Sequence, residues 1–118
     1  MEIRRKHIEP DIFVLQPVGR VTMGRPCQEI EWVIDELVRG NIHKVILDLS
    51  EVDRVDSTGI GTIVTSSGKL KKAGGELHVA AAHGMVHDMV HTANIHRIIP
   101  FHDTVEQAAA SFAQTSGA

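Results

Sequence analysis

An α/β fold is predicted for this chain: a mixed, mainly parallel β-sheet with about four helices packed against it and an N-terminal β-hairpin. Three observations predict it. Residues 2–8 and 11–17 read as extended segments, and Glu9-Pro10-Asp11 is the turn signal between them. After this hairpin, helical and strand patterns alternate to the end of the chain. Alternating βα units favour crossovers onto one shared sheet, which the helices then cover.

The elements follow in order. Ile12-Phe13-Val14-Leu15 is strongly strand-like, and 19–24 reads as a short extended or turning connection. Pro26 suits the first turn of a helix and Gly40 its stop. Between them Ile30, Val33, Ile34, Leu37 and Val38 make one apolar face. The run from Lys44 to Ser50 reads as a buried strand. A second helix is expected over 57–73, with Ile60, Ile63, Val64, Ser67 and Leu70 at helical spacing and Gly74-Gly75 ending it. A strand over 76–81 follows. A third helix over 84–93 turns Val86, Met89, Val90 and Ala93 inward. Ile98-Ile99-Pro100-Phe101 forms a short last strand. Asp103 or Thr104 caps a final helix to about Phe112; both Asp103-x-x-Glu106 and Thr104-x-x-Gln107 fit a capping box. Residues 114–118 read as a frayed tail.

At 118 residues the chain makes one domain spanning 1–118, large enough for its own core. A hydrophobic share of 42% against 23% charged residues is globular rather than disordered. The net charge of −3 gives no general attraction to nucleic acid. The cluster Lys69-Leu70-Lys71-Lys72 suits a helix C-terminus, where cations meet the dipole. Arg4, Arg5 and Lys6 lie on a lone basic strand, which does not establish a polyanion partner. Cys27 is the only cysteine, so no intrachain disulfide forms, which fits a reducing compartment. No secretory apolar region follows the basic N-terminal residues, and no apolar run approaches the roughly 20 residues that span a membrane. A cytoplasmic protein without a cofactor is expected.

Asp56-Ser57-Thr58-Gly59-Ile60-Gly61 stands where a strand gives way to the second helix. Ser57 lies at or next to the helix N-cap, where Ser and Asp side chains accept orphan backbone N–H bonds. A hydroxyl there is also open to phosphorylation. Phosphate brings close to two negative charges, which the helix dipole and free N–H groups tolerate. A cap and a phosphorylation site are therefore both open for Ser57, with Thr58 as a second acceptor. Asp56 orients the loop, caps the helix or meets a cation. Gly59 and Gly61 leave the loop low and open to close approach. Asp48 reads as structural at a strand end.

Val45-Ile46-Leu47-Asp48-Leu49-Ser50, five intervening residues, then Asp56-Ser57-Thr58-Gly59-Ile60-Gly61 resembles the STAS family, and within it the single-domain bacterial anti-sigma factor antagonists. Val18-Gly19-Arg20-Val21, Gly74-Gly75-Glu76-Leu77 and the run from Phe101 through Thr104 and Glu106 to Ala108 extend the resemblance over nearly the whole chain. The resemblance implies a STAS fold and a non-enzymatic partner switch. Unphosphorylated, such a protein binds an anti-sigma factor that is also a serine protein kinase, and the sigma factor is freed. The kinase then phosphorylates the motif serine, here Ser57, and a serine phosphatase resets it. Asp56, Thr58, Gly59, Ile60 and Gly61 would meet the partner. Neither direct nucleic-acid contact nor a membrane is implied, and a homodimer is left open. Two positions depart from the family pattern: Thr22 stands where an acidic residue is common, and Arg54 where an apolar one is usual.

Gly59-x-Gly61-x-x-Val64 follows a strand but lacks a third small residue and the opening position of a dinucleotide fingerprint. His83, His87 and His91 fall four apart, a spacing that holds a metal or simply forms a titratable helix flank. Cys27 sits near a helix start, at the edge of its apolar face. Trp32 points away from the apolar face, as an oligomer or partner contact or as a side chain lying on a neighbouring element. Alternatives to the switch are a STAS scaffold or adaptor in a stress-signalling or chemosensory complex, a nucleotide-binding enzyme, and an accessory subunit of a transporter.

Overall fold

The computed structural model describes residues 1–116, with side chains described through Ala113. The elements run β1 (Glu2–Ile8), β2 (Ile12–Val21), α1 (Arg25–Arg39), β3 (Lys44–Asp48), β4 (Val52–Val55), α2 (Ser57–Lys72), β5 (Glu76–Ala80), α3 (Gly84–Thr92), a 3-10 turn (Ile95–Arg97), β6 (Phe101–His102) and α4 (Val105–Ser116). One six-stranded sheet has the order β1-β2-β3-β5-β6, with β4 paired to β2. Among the described residues only the β1–β2 hairpin is antiparallel. The predicted mixed α/β sheet with four helices and an N-terminal hairpin is the observed one.

The period-2 alternation of the strands divides the core between two faces. Leu15, Val45, Leu47, Leu77 and Val79 point to one face and pack with Ile30, Val33, Ile34 and Leu37 of α1, Ile63 and Leu70 of α2, and Val86 and Val90 of α3. Ile12, Val14, Ile46 and Ala80 point to the other, where Ala108 and Phe112 of α4 close the cluster. Burial of a large aliphatic side chain contributes about 1.5–3 kcal/mol, so these two layers hold the helices in place. Cys27 is buried within the larger core, as simple packing requires.

Several local expectations are corrected. Of the extended or turning connection expected over 19–24, the part through Val21 is extended and belongs to β2, which runs past the expected end at 17. Its second half leaves β3 and pairs with β4, through a register shift between Gly19 and Arg20 with Gly19 at φ 103°. Strand β4 itself was not foreseen: Lys44 to Ser50 read as one strand leading to the motif, but β3 stops at Asp48. There Asp48 Oδ1 accepts the Ser50 N–H at 2.9 Å and turns the chain. Gln16 Nε2 donates to Asp48 Oδ2 at 3.0 Å, so this carboxylate holds a strand end. Of the strand expected over 98–101, only Phe101 is in one, as the first residue of β6. Ile99 N–H bonds back to the Ile95 carbonyl, Pro100 lacks an N–H, and pairing begins only at Phe101. Thr104 is the cap of α4, since its Oγ1 accepts the Gln107 N–H at 3.1 Å. Ala93 is exposed beyond the end of α3, not inward. The tail expected to fray from 114 is helical through Ser116, and 117–118 lie outside the described residues.

Candidate functional site

The motif begins where β4 delivers the chain to α2. Strand β4 lies alongside the end of β2, so Val55 pairs with Val21 and Asp56 emerges beside the β2–α1 connection. Asp56, not Ser57, is the N-cap. Its backbone is extended, and its Oδ1 accepts the Gly59 N–H at 2.8 Å. Its Oδ2 accepts the Met23 N–H at 2.9 Å from across the junction. These two bonds, first from Met23 and then from Gly59, hold the Asp56 carboxyl below its ordinary range. One side chain thus ties the start of α2 to the connection leaving β2.

With Asp56 in the cap, Ser57 becomes the first residue of the helix and its side chain is exposed. Among the described residues its hydroxyl has no hydrogen-bond partner within the chain. Thr58 is also exposed, and Ile60 is half-buried. Gly59 is buried, which corrects its expected role as an open point of approach. A Cβ built there would overlap the Val21 carbonyl oxygen and stand 3.0 Å from Val55 Cγ1. Gly59 is therefore needed so that α2 can lie directly on the β2–β4 pair. Gly61 does face open space, with nothing within 4 Å of a Cβ. Since 57–72 is continuous helix, Gly59 and Gly61 form no phosphate-binding loop.

The surroundings are apolar and basic. Met23 and Met85 are exposed at 71% and 64%. Arg20 and Arg54 are register partners on β2 and β4, both solvent-exposed, and neither has an ion pair among the described residues. Together with Asp53 and Met85 they line a shallow depression at the sheet edge. Thr22 lies half-buried between Val21 and Met23, at the same junction. Met23, Met85 and Arg20 escaped sequence reasoning, because their proximity to the motif depends on β4 and on α3 packing against it.

Trp32 is exposed at 59% and lines a separate groove with Ile3, Arg5, Glu29 and Glu36, between β1 and α1. The three histidines grouped by spacing do not stay together. His83 Nε2 lies 3.0 Å from the Ser50 carbonyl, whereas His87 stacks on His91 and His91 on His96. No helix among the described residues is long and apolar enough to cross a membrane.

Residues 4–108 match the family model of the STAS domain. The chain belongs to the STAS family. A Thermotoga maritima relative, provisionally named an anti-sigma factor antagonist, is 27% identical over 101 residues, covering 86% of this chain and 89% of the relative. A crystal structure of a Thermotoga maritima protein bearing the same provisional name superposes with a TM-score of 0.84 at 25% identity, covering 92% of each chain. SpoIIAA of Bacillus, an anti-sigma factor antagonist solved in its unphosphorylated form, shares the fold at a TM-score of 0.71 and 14% identity, covering 96% of this chain and 98% of that one. The STAS fold inferred from the motif is thus the fold of the chain.

Proposed function

We propose that this STAS domain is a non-enzymatic anti-sigma factor antagonist, switched by phosphorylation of Ser57. Its partner is an anti-sigma factor with serine protein kinase activity, and a serine phosphatase restores the binding form. The observation that carries this reading is the division of labour at the start of α2. Asp56 provides the cap, so Ser57 is left exposed at the helix N-terminus, with no partner for its hydroxyl among the described residues. A purely structural Ser57 would be expected in the cap position itself. The relatives named as anti-sigma factor antagonists support the same reading.

The physics of release follows from that placement. A helix N-terminus tolerates a phosphate, so modification leaves the domain folded. A partner docked over Asp56, Ser57, Thr58, Ile60 and Gly61 partly desolvates the Ser57 hydroxyl. The phosphate brings charge and a hydration shell that this contact cannot accept, and Asp56 adds like charge. A loss of about 3 kcal/mol lowers affinity roughly a hundredfold. Met23 and Met85 would supply apolar contact, while Arg20 and Arg54 would meet carboxylates on the partner.

The deciding experiment is a pull-down from native lysate with wild type, Ser57→Ala and Ser57→Asp as baits, with captured proteins identified by mass spectrometry. The expected result is an anti-sigma factor or serine kinase on wild type and Ser57→Ala, absent from Ser57→Asp. Equal recovery on all three baits would reject phosphorylation control and favour a scaffold role.

A further inference from the structure

The helix α3 carries His87 and His91 one turn apart, and the 3-10 turn that follows brings back His96. Their rings form a column. His87 and His91 stack with centroids 3.9 Å apart and planes at 29°, and His91 and His96 stack at 4.4 Å and 19°. We propose that His87 and His91 form a surface site for a divalent transition-metal ion of the Zn²⁺, Ni²⁺ and Cu²⁺ class, with His96 as an additional imidazole ligand.

Three features carry the inference. First, residues four apart on a helix share a face, and paired imidazoles at that spacing chelate such ions. Second, the tautomer of His91 is set for it. His91 Nδ1 lies 3.0 Å from the His87 carbonyl oxygen. A carbonyl only accepts, so Nδ1 carries the proton and Nε2 keeps its lone pair. His87 Nδ1 lies 3.6 Å from Asp88 Oδ1, beyond hydrogen-bond range, so the His87 ring is free to turn. An oxygen acceptor behind the ring, as at His91, is the support that metal-ligating histidines generally use. Third, the site is open: His87 and His96 are exposed and His91 partly so, leaving water free to complete the coordination.

The geometry also defines what kind of site this is. Metal–nitrogen bonds of about 2.0–2.1 Å lie in the plane of each imidazole, so the stacked rings do not yet share an ion: His91 is held by the His87 carbonyl, and the exposed His87 ring has to turn off the stack to meet an ion on His91 Nε2. Among the described residues no three His, Cys, Asp or Glu side chains already stand together as ligands. With His87 turned, the pair holds the ion together with water, and His96 joins by the same kind of rotation. His83, although in the same sequence series, is held at the Ser50 carbonyl and takes no part.

The test is calorimetric titration of the tag-free full chain with zinc chloride, with histidine ring nitrogens followed by NMR. Saturable one-to-one binding is expected, with shifts confined to His87, His91 and His96. His87→Gln, at an exposed position, and His91→Ala should each weaken binding by about tenfold or more, while His83→Ala leaves it unchanged. Circular dichroism checks that each variant is folded, and His87→Gln decides the matter if His91→Ala is not. Absence of saturable binding up to about 1 mM zinc, or binding that survives His87→Gln, would overturn the proposal. Neither result depends on Ser57 or its partner.

Discussion

Two glycines two residues apart in the same motif should respond to alanine in opposite directions. At Gly59 the new Cβ would overlap the Val21 carbonyl oxygen and press on Val55 Cγ1 at 3.0 Å. The obstacle is backbone, so no rotamer change relieves it. Either α2 lifts from the β2–β4 pair or the strands part, and the Gly59 N–H is drawn from Asp56 Oδ1. Overpacking of this kind costs about 1–3 kcal/mol, more where backbone must shift. The gain in helix propensity on replacing Gly by Ala, about 1 kcal/mol, offsets part of it. A net loss of roughly 2 kcal/mol is expected, a fall in Tm of about 6–12 °C at this chain length. At Gly61 a Cβ meets nothing within 4 Å and the position is helical, so Ala should stabilise. The gain of about 0.5–1 kcal/mol would raise Tm by roughly 2–5 °C. Thermal unfolding of the two variants beside wild type, followed by circular dichroism, is the assay. If Gly59→Ala unfolds at or above the wild-type temperature, α2 does not lie on Val21 as described. If both variants fall together, backbone freedom in the first turns of α2, not packing, accounts for the glycines.

Two further predictions rest on titratable groups. Asp56→Asn preserves shape but turns an amide nitrogen toward either the Met23 or the Gly59 N–H, so one of the two bonds is lost. The folded Asp56 carboxyl titrates below its ordinary value, so its stabilisation is complete above about pH 4 and is lost as pH falls through the folded pKa. Asp56→Asn should therefore melt earlier than wild type at pH 7, and the gap should narrow toward pH 3; a gap independent of pH would refute this. On the opposite face, His102 lies 3.0 Å from His78 Nδ1, and His78 stacks on Phe112 and bonds Glu76. Burial first, then the neighbouring His78, depresses the His102 pKa, while Asp103 opposes the shift. The stability tied to neutral His102 is present above about pH 6.5 and falls as pH drops toward and through the folded pKa. His102→Gln should flatten the decline in Tm between pH 7.5 and 5.5, and an unchanged slope would show that another group is responsible.

How much of this was legible beforehand depended on the range of each signal. The hairpin, the four helices and the stop at Gly40 were readable because periodicity, turn chemistry and capping act within a few residues. Their buried faces followed from the same spacing: Ile30, Val33, Ile34 and Leu37 are all inside. The capping box at 103–107 was visible but ambiguous, since two overlapping patterns fitted and only the hydrogen bond to Thr104 Oγ1 separated them. Strand β4 was invisible for a different reason. It is four residues long, Asp53 and Arg54 are exposed, and its identity as a strand comes wholly from pairing with β2.

The same division runs through the site. The sequence by itself determined that a serine stands at a strand-to-helix junction beside an aspartate and two glycines, and which family pattern that matches. Only the tertiary structure decided who does what there. Asp56 caps α2 through the Gly59 N–H, and Met23, distant in sequence, fixes that carboxylate by donating to its second oxygen. Ser57 is exposed because Asp56 has taken that position. Gly59 is glycine because the Val21 carbonyl leaves no room for a Cβ. His96, rather than His83, joins the imidazole column because the 3-10 turn folds it back onto α3. Each of these is a contact between residues that local patterns treat as unrelated, so it exists only once the sheet has brought them together.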